Sequence, residues 1–229
     1  MGSEEKKMSD PEIVKKLSGS KLYFGIPVDE IEDLVKSNRG HVSCFQKGEI
    51  IIREGETWNS VDVILEGAVS VKRLFQDGSE SAVHYLRENG VIGMEFLQKA
   101  DQKSQFYYVA ENDTTIYSIH KWYFSDYRQL GPKVSFQMLK NLISILSHEN
   151  IRQHRKLDIL STRNLRERIL VYLNYEQKKR RTMEFDIPYS REALAAFLCV
   201  NRSALSRELG RMEQEGVLKT KGRHFVLLH

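Results

Sequence analysis

Cysteine is scarce in this 229-residue chain: only Cys44 and Cys199 are present, far apart in sequence. Neither belongs to a CxxC pair or a Cys/His cluster. That excludes a structural zinc or a thiolate-held iron–sulfur cluster, each of which ordinarily needs about four placed ligands. Both thiols are expected as small buried apolar residues. The seven histidines are scattered without an HExxH pair. His84 and His120 stand alone, with neither the HxH nor the nearby Glu that metal chemistry inside a β-roll of the cupin type demands. No metal, no cofactor and no catalytic set is therefore expected. Long apolar runs are also lacking, and none approaches the ~20 residues that cross a bilayer. The beginning, MGSEEKKMSDPE, has no apolar signal core. The expectation is a cytoplasmic protein that does not enter a membrane.

What is present is unevenly distributed charge. The net charge is only +4. Residues 161–229 hold 14 Lys/Arg against 8 Asp/Glu, a balance of +6, whereas residues 1–160 hold 21 against 23. A basic C-terminal part on a near-neutral remainder is the asymmetry that attraction to phosphate predicts. The length suffices for one large or two small cores.

Within the basic part, SREALAAFLCVNRSALSRELGRMEQEGVLKTKGRHFVLL from Ser190 reads as a helix-turn-helix followed by a β-wing. Ser190 is a good N-cap for a short helix that carries Leu194, Phe197 and Leu198 inward. Cys199, Val200 and Asn201 make the turn, and Asn201 can cap the next helix. There Leu205, Leu209 and Met212 recur at i, i+4 and i+7 and share a buried face. Ser203, Ser206, Arg207 and Gly210 fall opposite. A recognition helix needs that division, with short polar groups and Arg on the face that enters the major groove. Arg207 can fork to a guanine edge. Arg202, in the first turn, lies where phosphate contacts are natural. The tail alternates around Lys221-Gly222, as a two-stranded wing does.

Between His41 and His120, runs rich in Val, Ile, Tyr and Phe alternate with Gly-bearing turns, and Asp77-Gly78 is a strong hairpin signal. About eight antiparallel strands in the jelly-roll style are expected, after short helices within residues 10–39. A long helix follows from about Lys133 to Leu160. Phe136, Leu139, Ile143, Leu146, Asn150, Gln153 and Leu157 form a coiled-coil-like stripe, with Asn150 as a register device. Met138, Leu142 and Ile145 form a neighbouring stripe. The first is read as a dimer seam and the second as the face against the β-roll. Ser161-Thr162 is expected to cap the next helix, and the joint near Asp158–Thr162 to act as a hinge. The domains are thus 1–130, a sensing β-roll; 131–160, the dimerisation helix and hinge; and 161–229, the winged helix-turn-helix. The fold class is α+β.

This order, with CVNRSALSRELGRMEQEGVL and the KGEIIIREGE and VILEGAVSV blocks, resembles the CRP/FNR family of bacterial regulators (cyclic-AMP receptor protein and fumarate–nitrate reductase regulator) from about Phe24 to Leu228. The resemblance implies a cyclic-nucleotide-binding-like sensor and a homodimer on a palindromic double-stranded operator. It also implies transcription control by a small-molecule effector, with RNA polymerase as partner if the protein activates. The recognition positions carry over as Arg202, Ser203, Ser206 and Arg207. Many members have Glu where Ser203 stands, so the operator differs at the base pair read there.

The sensor departs further. Members that bind cyclic nucleotides have Gly-Glu-Leu followed by Arg-Ser, the Glu holding the ribose and the Arg the phosphate. Here the first block reads Ile92-Gly93-Met94-Glu95-Phe96, with Glu95 displaced by one position, which on a strand turns it to the other face. Ser104-Gln105 occupies the Arg-Ser place, with Lys103 the only cation nearby. A buried phosphate without a placed Arg is costly, so the effector expected is not cyclic AMP. Met94, Phe96, Phe106 and Tyr108 point to an apolar or aromatic one. Glu149 and Asn150 fall where the family's long helix approaches its ligand. A ligand-binding module acting through a protein partner is the alternative.

Overall fold

The computed structural model describes residues 8–75, 77–78, 80–97, 101–124, 128 and 130–228. The chain divides into two compact units, residues 1–147 and 148–229.

The first unit opens with α1 (Asp10–Ser18) and α2 (Val28–Lys36). Ser9 and Glu12 close a capping box on α1, so the helix starts where its free N–H groups find acceptors. Eight strands follow: β1 (Gly40–Phe45), β2 (Ile50–Ile52), β3 (Ser60–Glu66), β4 (Ala68–Leu74), β5 (Glu80–Arg87), β6 (Val91–Ile92), β7 (Tyr107–Ala110) and β8 (Thr114–His120). They pair antiparallel in two four-stranded sheets, ordered β1-β8-β3-β6 and β2-β7-β4-β5, which is the expected β-roll. Asp77-Gly78 lies between β4 and β5, and Gly78 has the positive φ, +80°, that a tight hairpin demands.

Strand β3 is buried on both faces. Val61, Val63 and Leu65 join α1 and α2 in one core, while Ile64 joins Val69, Val71, Ile92, Phe96, Tyr108 and Ile116 between the sheets. The long helix α3 (Pro132–Ser161) seats its first half on the first core through Val134, Met138 and Leu142. Removing each such side chain from water is worth about 1.5–3 kcal/mol. Asn141 fixes the register, donating from Nδ2 to the carbonyl oxygens of Leu22 and Phe24, both at 2.8 Å.

The second unit holds the last turns of α3, then α4 (Leu165–Arg180), β9 (Glu184–Asp186), α5 (Arg191–Phe197), α6 (Arg202–Gln214), β10 (Leu218–Lys221) and β11 (His224–Leu227). Its core gathers Ile159, Ile169, Leu173, Phe185, Leu194, Leu198, Leu205, Leu209, Met212 and Phe225. The wing is a three-stranded sheet, β10-β11-β9, and not a two-stranded one. The three residues of β9 are too few to read as a strand by alternation.

Two further expectations are corrected. Cys44 and Cys199 are both exposed. Cys44 lies on β1, an edge strand of its sheet, and Cys199 occupies a left-handed turn at φ +55°. The cap of α4 is Asn164, whose Oδ1 accepts from Glu167 N at 2.8 Å. Ser161 and Thr162 instead finish α3, donating their hydroxyls to the Asp158 carbonyl oxygen at 2.8 and 3.2 Å. That carbonyl is among those a helix end leaves without a partner.

Candidate nucleic-acid interface

The helix pair is built from its caps. Ser190 Oγ accepts from Ala193 N at 3.1 Å and starts α5. Asn201 Oδ1 accepts from Ala204 N at 2.7 Å and starts α6. Between them Cys199 turns the chain in the left-handed region, which non-glycine residues adopt rarely. Leu205, Leu209 and Met212 bury one face of α6, each at most 3% exposed. Arg202, Ser203, Ser206 and Arg207 are all exposed, as the spacing predicts.

The exposed face differs in how free its groups are. Ser203 donates its hydroxyl to Asn201 Oδ1 at 2.8 Å, so only its oxygen lone pairs face outward. Arg211 pairs with Glu208 at 3.6 Å. Arg202 and Arg207 hold no carboxylate among the described residues. Two uncompensated guanidiniums on a short polar face suit phosphate and base-edge acceptors.

The wing adds cations that sequence reasoning did not single out. Lys219, Lys221 and Arg223 are exposed on β10 and its turn, while Leu218, Phe225 and Leu227 point inward. Gly222 takes φ +62° at the first central position of the β10–β11 turn. Arg191, in the first turn of α5, lies over the Phe225 ring at 4.9 Å and donates to Thr220 Oγ1, tying the first helix to the wing. Thr220 N donates to Glu213 Oε1 at 2.8 Å, which ties the wing to α6. Alternation within VLKTKGRHFVLL was the available signal for the three exposed cations.

On α3, Phe136 and Ile143 are 71% and 67% exposed, and Leu139, Leu146 and Asn150 are exposed with them. Met138 and Leu142, on the neighbouring stripe, are buried. The helix therefore carries a second apolar stripe that its own chain does not cover.

In the first unit an open cleft of about 780 Å³ is lined by Glu54, Gly55, Arg73, Leu74, Phe75 and residues 101–105. Ser104 and Gln105 thus line it, whereas Gly93, Met94, Glu95 and Phe96 lie outside its lining. Ser104 is buried, and its hydroxyl donates to the Phe106 carbonyl oxygen at 2.6 Å. Lys103 is not the only cation here, because Arg73 of β4 lines the same cleft. Residues Met94–Leu97 form a 3₁₀ turn, so the strand argument about Glu95 does not apply. Glu95 is exposed and accepts from the Tyr108 hydroxyl. Phe96 is buried between the sheets and Met94 half-buried against the first core. Gly93 has φ +91°, and a Cβ there would stand 2.2 Å from the Ser60 carbonyl oxygen. Glu149 and Asn150 belong to the second unit, where Glu149 accepts from Arg152 Nε at 2.8 Å.

Among the described residues no three His, Cys, Asp or Glu are placed to hold a metal ion, and no helix is long and apolar enough to cross a membrane.

Comparison with known proteins matches both units. The cyclic nucleotide-binding domain model matches residues 42–129, and the Crp-like helix-turn-helix domain model matches residues 167–229. Transcriptional activator protein FnrA of Stutzerimonas stutzeri is 23% identical over 206 residues, which covers 88% of this chain and 80% of that protein. The global nitrogen regulator of Synechococcus elongatus is 23% identical over 183 residues, 77% of this chain and 81% of its own. Among solved structures, the catabolite activator protein of Thermus thermophilus superposes with a TM-score of 0.52 at 22% identity, covering 91% of this chain and 93% of that one. CprK complexed with OCPA superposes with a TM-score of 0.64 at 20% identity, covering 86% and 92%.

Proposed function

Because this chain belongs to the CRP/FNR family of transcription regulators, we propose that it works as a homodimer on a palindromic operator, under control of a small-molecule effector other than cyclic AMP. Helix α6 is the reading element. The observation that carries this is the pair Arg202 and Arg207, exposed and without carboxylates among the described residues, on a helix anchored by its opposite face. Arg207 reads a base edge, Arg202 holds a phosphate, and Ser203 and Ser206 make shorter contacts. Lys219, Lys221 and Arg223 of the wing add phosphate contacts.

The division of labour follows the chain. Residues 1–130 sense the effector, 131–160 dimerise and couple, and 161–229 bind DNA. Two copies join through the exposed stripe of Phe136, Leu139, Ile143, Leu146 and Asn150. RNA polymerase is the partner where the regulator activates. The protein acts in the cytoplasm without metal or iron–sulfur cluster. Cyclic AMP is disfavoured because Ser104-Gln105 offers no guanidinium and the Ser104 hydroxyl is bonded to its own loop.

The test is anisotropy of the full chain on duplexes enriched from a random pool, measured across a salt series. For about six phosphate contacts, log K should fall with log salt at a slope of roughly −5. A flat salt response, or no sequence enriched, would refute the reading.

A further inference from the structure

Two neighbouring cations on β4 face opposite ways and meet opposite fates. Lys72 points to the outer face of its sheet, where Glu80 and Glu111 lie 3.5 and 3.8 Å from its Nζ. Arg73 continues the row of Val69 and Val71, whose side chains pack between the sheets. The irregularity between β4 and β5 skips Val83 on β5, so the alternation along β4 is unbroken. Arg73 therefore lies on the inward side, at the mouth of the roll, where it lines the open cleft. Its guanidinium sits 5.0 Å from the centre of the Phe106 ring. It holds no carboxylate among the described residues, and Lys103 on the cleft wall holds none either.

The cleft also carries Glu54 and Asp101. Neither is paired with Arg73 or Lys103, although all four residues line one cleft. Paired charges on a wall screen each other, whereas unpaired ones stay available to something that enters. The planar guanidinium, steadied on an aromatic face, presents a fork that matches two oxygens of a carboxylate or phosphate. Glu54 and Asp101 are acceptors for hydroxyl or amino donors.

We infer that this cleft is a binding site for a small organic oxyanion, a carboxylate or phosphate that also bears hydroxyl or amino groups, with Arg73 as its principal anchor and Lys103 as the second cation. The inference deepens the reading of residues 1–130 as an effector-sensing module and rests on it. It replaces the apolar effector expected from Met94, Phe96, Phe106 and Tyr108. Of those four, Phe96 and Tyr108 are core, and Phe106 supports the arginine.

Calorimetric titration of the full chain with inorganic phosphate and with citrate, at constant ionic strength, tests the site and separates the two oxyanions. Saturable binding of at least one is expected, with Kd about 1 mM. Arg73→Gln should weaken it roughly tenfold or more, since a charged fork is replaced by a neutral amide. Lys103→Gln should weaken it less, and Lys72→Gln should leave it unchanged. Thermal melts confirm that each variant is folded. If neither anion saturates, or if Arg73→Gln binds as well as the parent, the site is refuted. Operator binding measured on the same Arg73→Gln protein keeps the two conclusions apart: its persistence leaves the DNA-binding reading standing whatever the anion result.

Discussion

The Arg168 guanidinium donates from NH1 to the Leu198 carbonyl oxygen at 3.2 Å, the residue that closes α5 just before the turn into α6. The same side chain donates from Nε to the Thr162 carbonyl oxygen at 2.9 Å. One residue of α4 thus holds both the joint after α3 and the turn of the helix-turn-helix. Arg168→Ala leaves two partly buried carbonyls without donors, a loss of about 1–3 kcal/mol. Arg168→Lys, which cannot span both, should recover only part of it. Chemical denaturation and operator affinity should fall together. Affinity unchanged in a destabilised Arg168→Ala protein would show that the joint does not set the position of α6.

Arg207→Ala should cost about 1–3 kcal/mol of operator affinity and relax preference at one base pair in each half-site. Competition among operator variants measures this. A uniform loss across all sequences would make Arg207 a phosphate contact.

Ile143→Asp alters a residue two-thirds exposed on α3, so the fold of one chain should be untouched. In a dimer it places like charges in an apolar seam. Sedimentation should show monomers, and specific operator affinity should drop with them. A dimer that survives the change would move the interface elsewhere.

Asp62 lies on β3, fully buried, with Oδ2 accepting from Trp58 Nε1 at 2.6 Å. Burial lifts its carboxyl from 3.8 to about 6, against the opposing pull of the Ser60 and Ser118 hydroxyls and the Trp58 indole. The folded state therefore prefers the protonated acid. No penalty exists below the unfolded value near 4, and stability is lost as pH rises through about 6, by about 3 kcal/mol in all. Asp62→Asn keeps an acceptor for Trp58 and carries no charge. The stability difference between variant and parent should grow in favour of the variant from pH 4 to 6 and then level off. A difference independent of pH would show that Asp62 is ionised throughout.

The helix-turn-helix was legible because its determinants are local. Ser190 and Asn201 cap within three residues, and Leu205, Leu209 and Met212 share a face by helical period alone. The β-roll was legible from alternation and from Asp77-Gly78. What escaped depends on partners distant in sequence. Cys44 is exposed because β1 ends its sheet, and a single strand does not reveal its place in the order. Asn164 competes with Ser161 and Thr162 for the same cap, and the contest turns on which carbonyls α3 leaves open. Arg73 and Lys72 are alike as letters. Only the pairing of β4 with β5 and β7 shows that one is neutralised and the other left free.

The exposure of Cys44 and Cys199 has a practical consequence. One thiol stands on the surface of each compact unit, and the sequence contains no third. A maleimide dye or nitroxide will therefore find a single address on the β-roll and a single address beside the recognition helix, with no engineered cysteine needed. The native chain comes with its own two-point ruler, able to report in solution how far the sensing half travels from the reading half as anion or DNA is added.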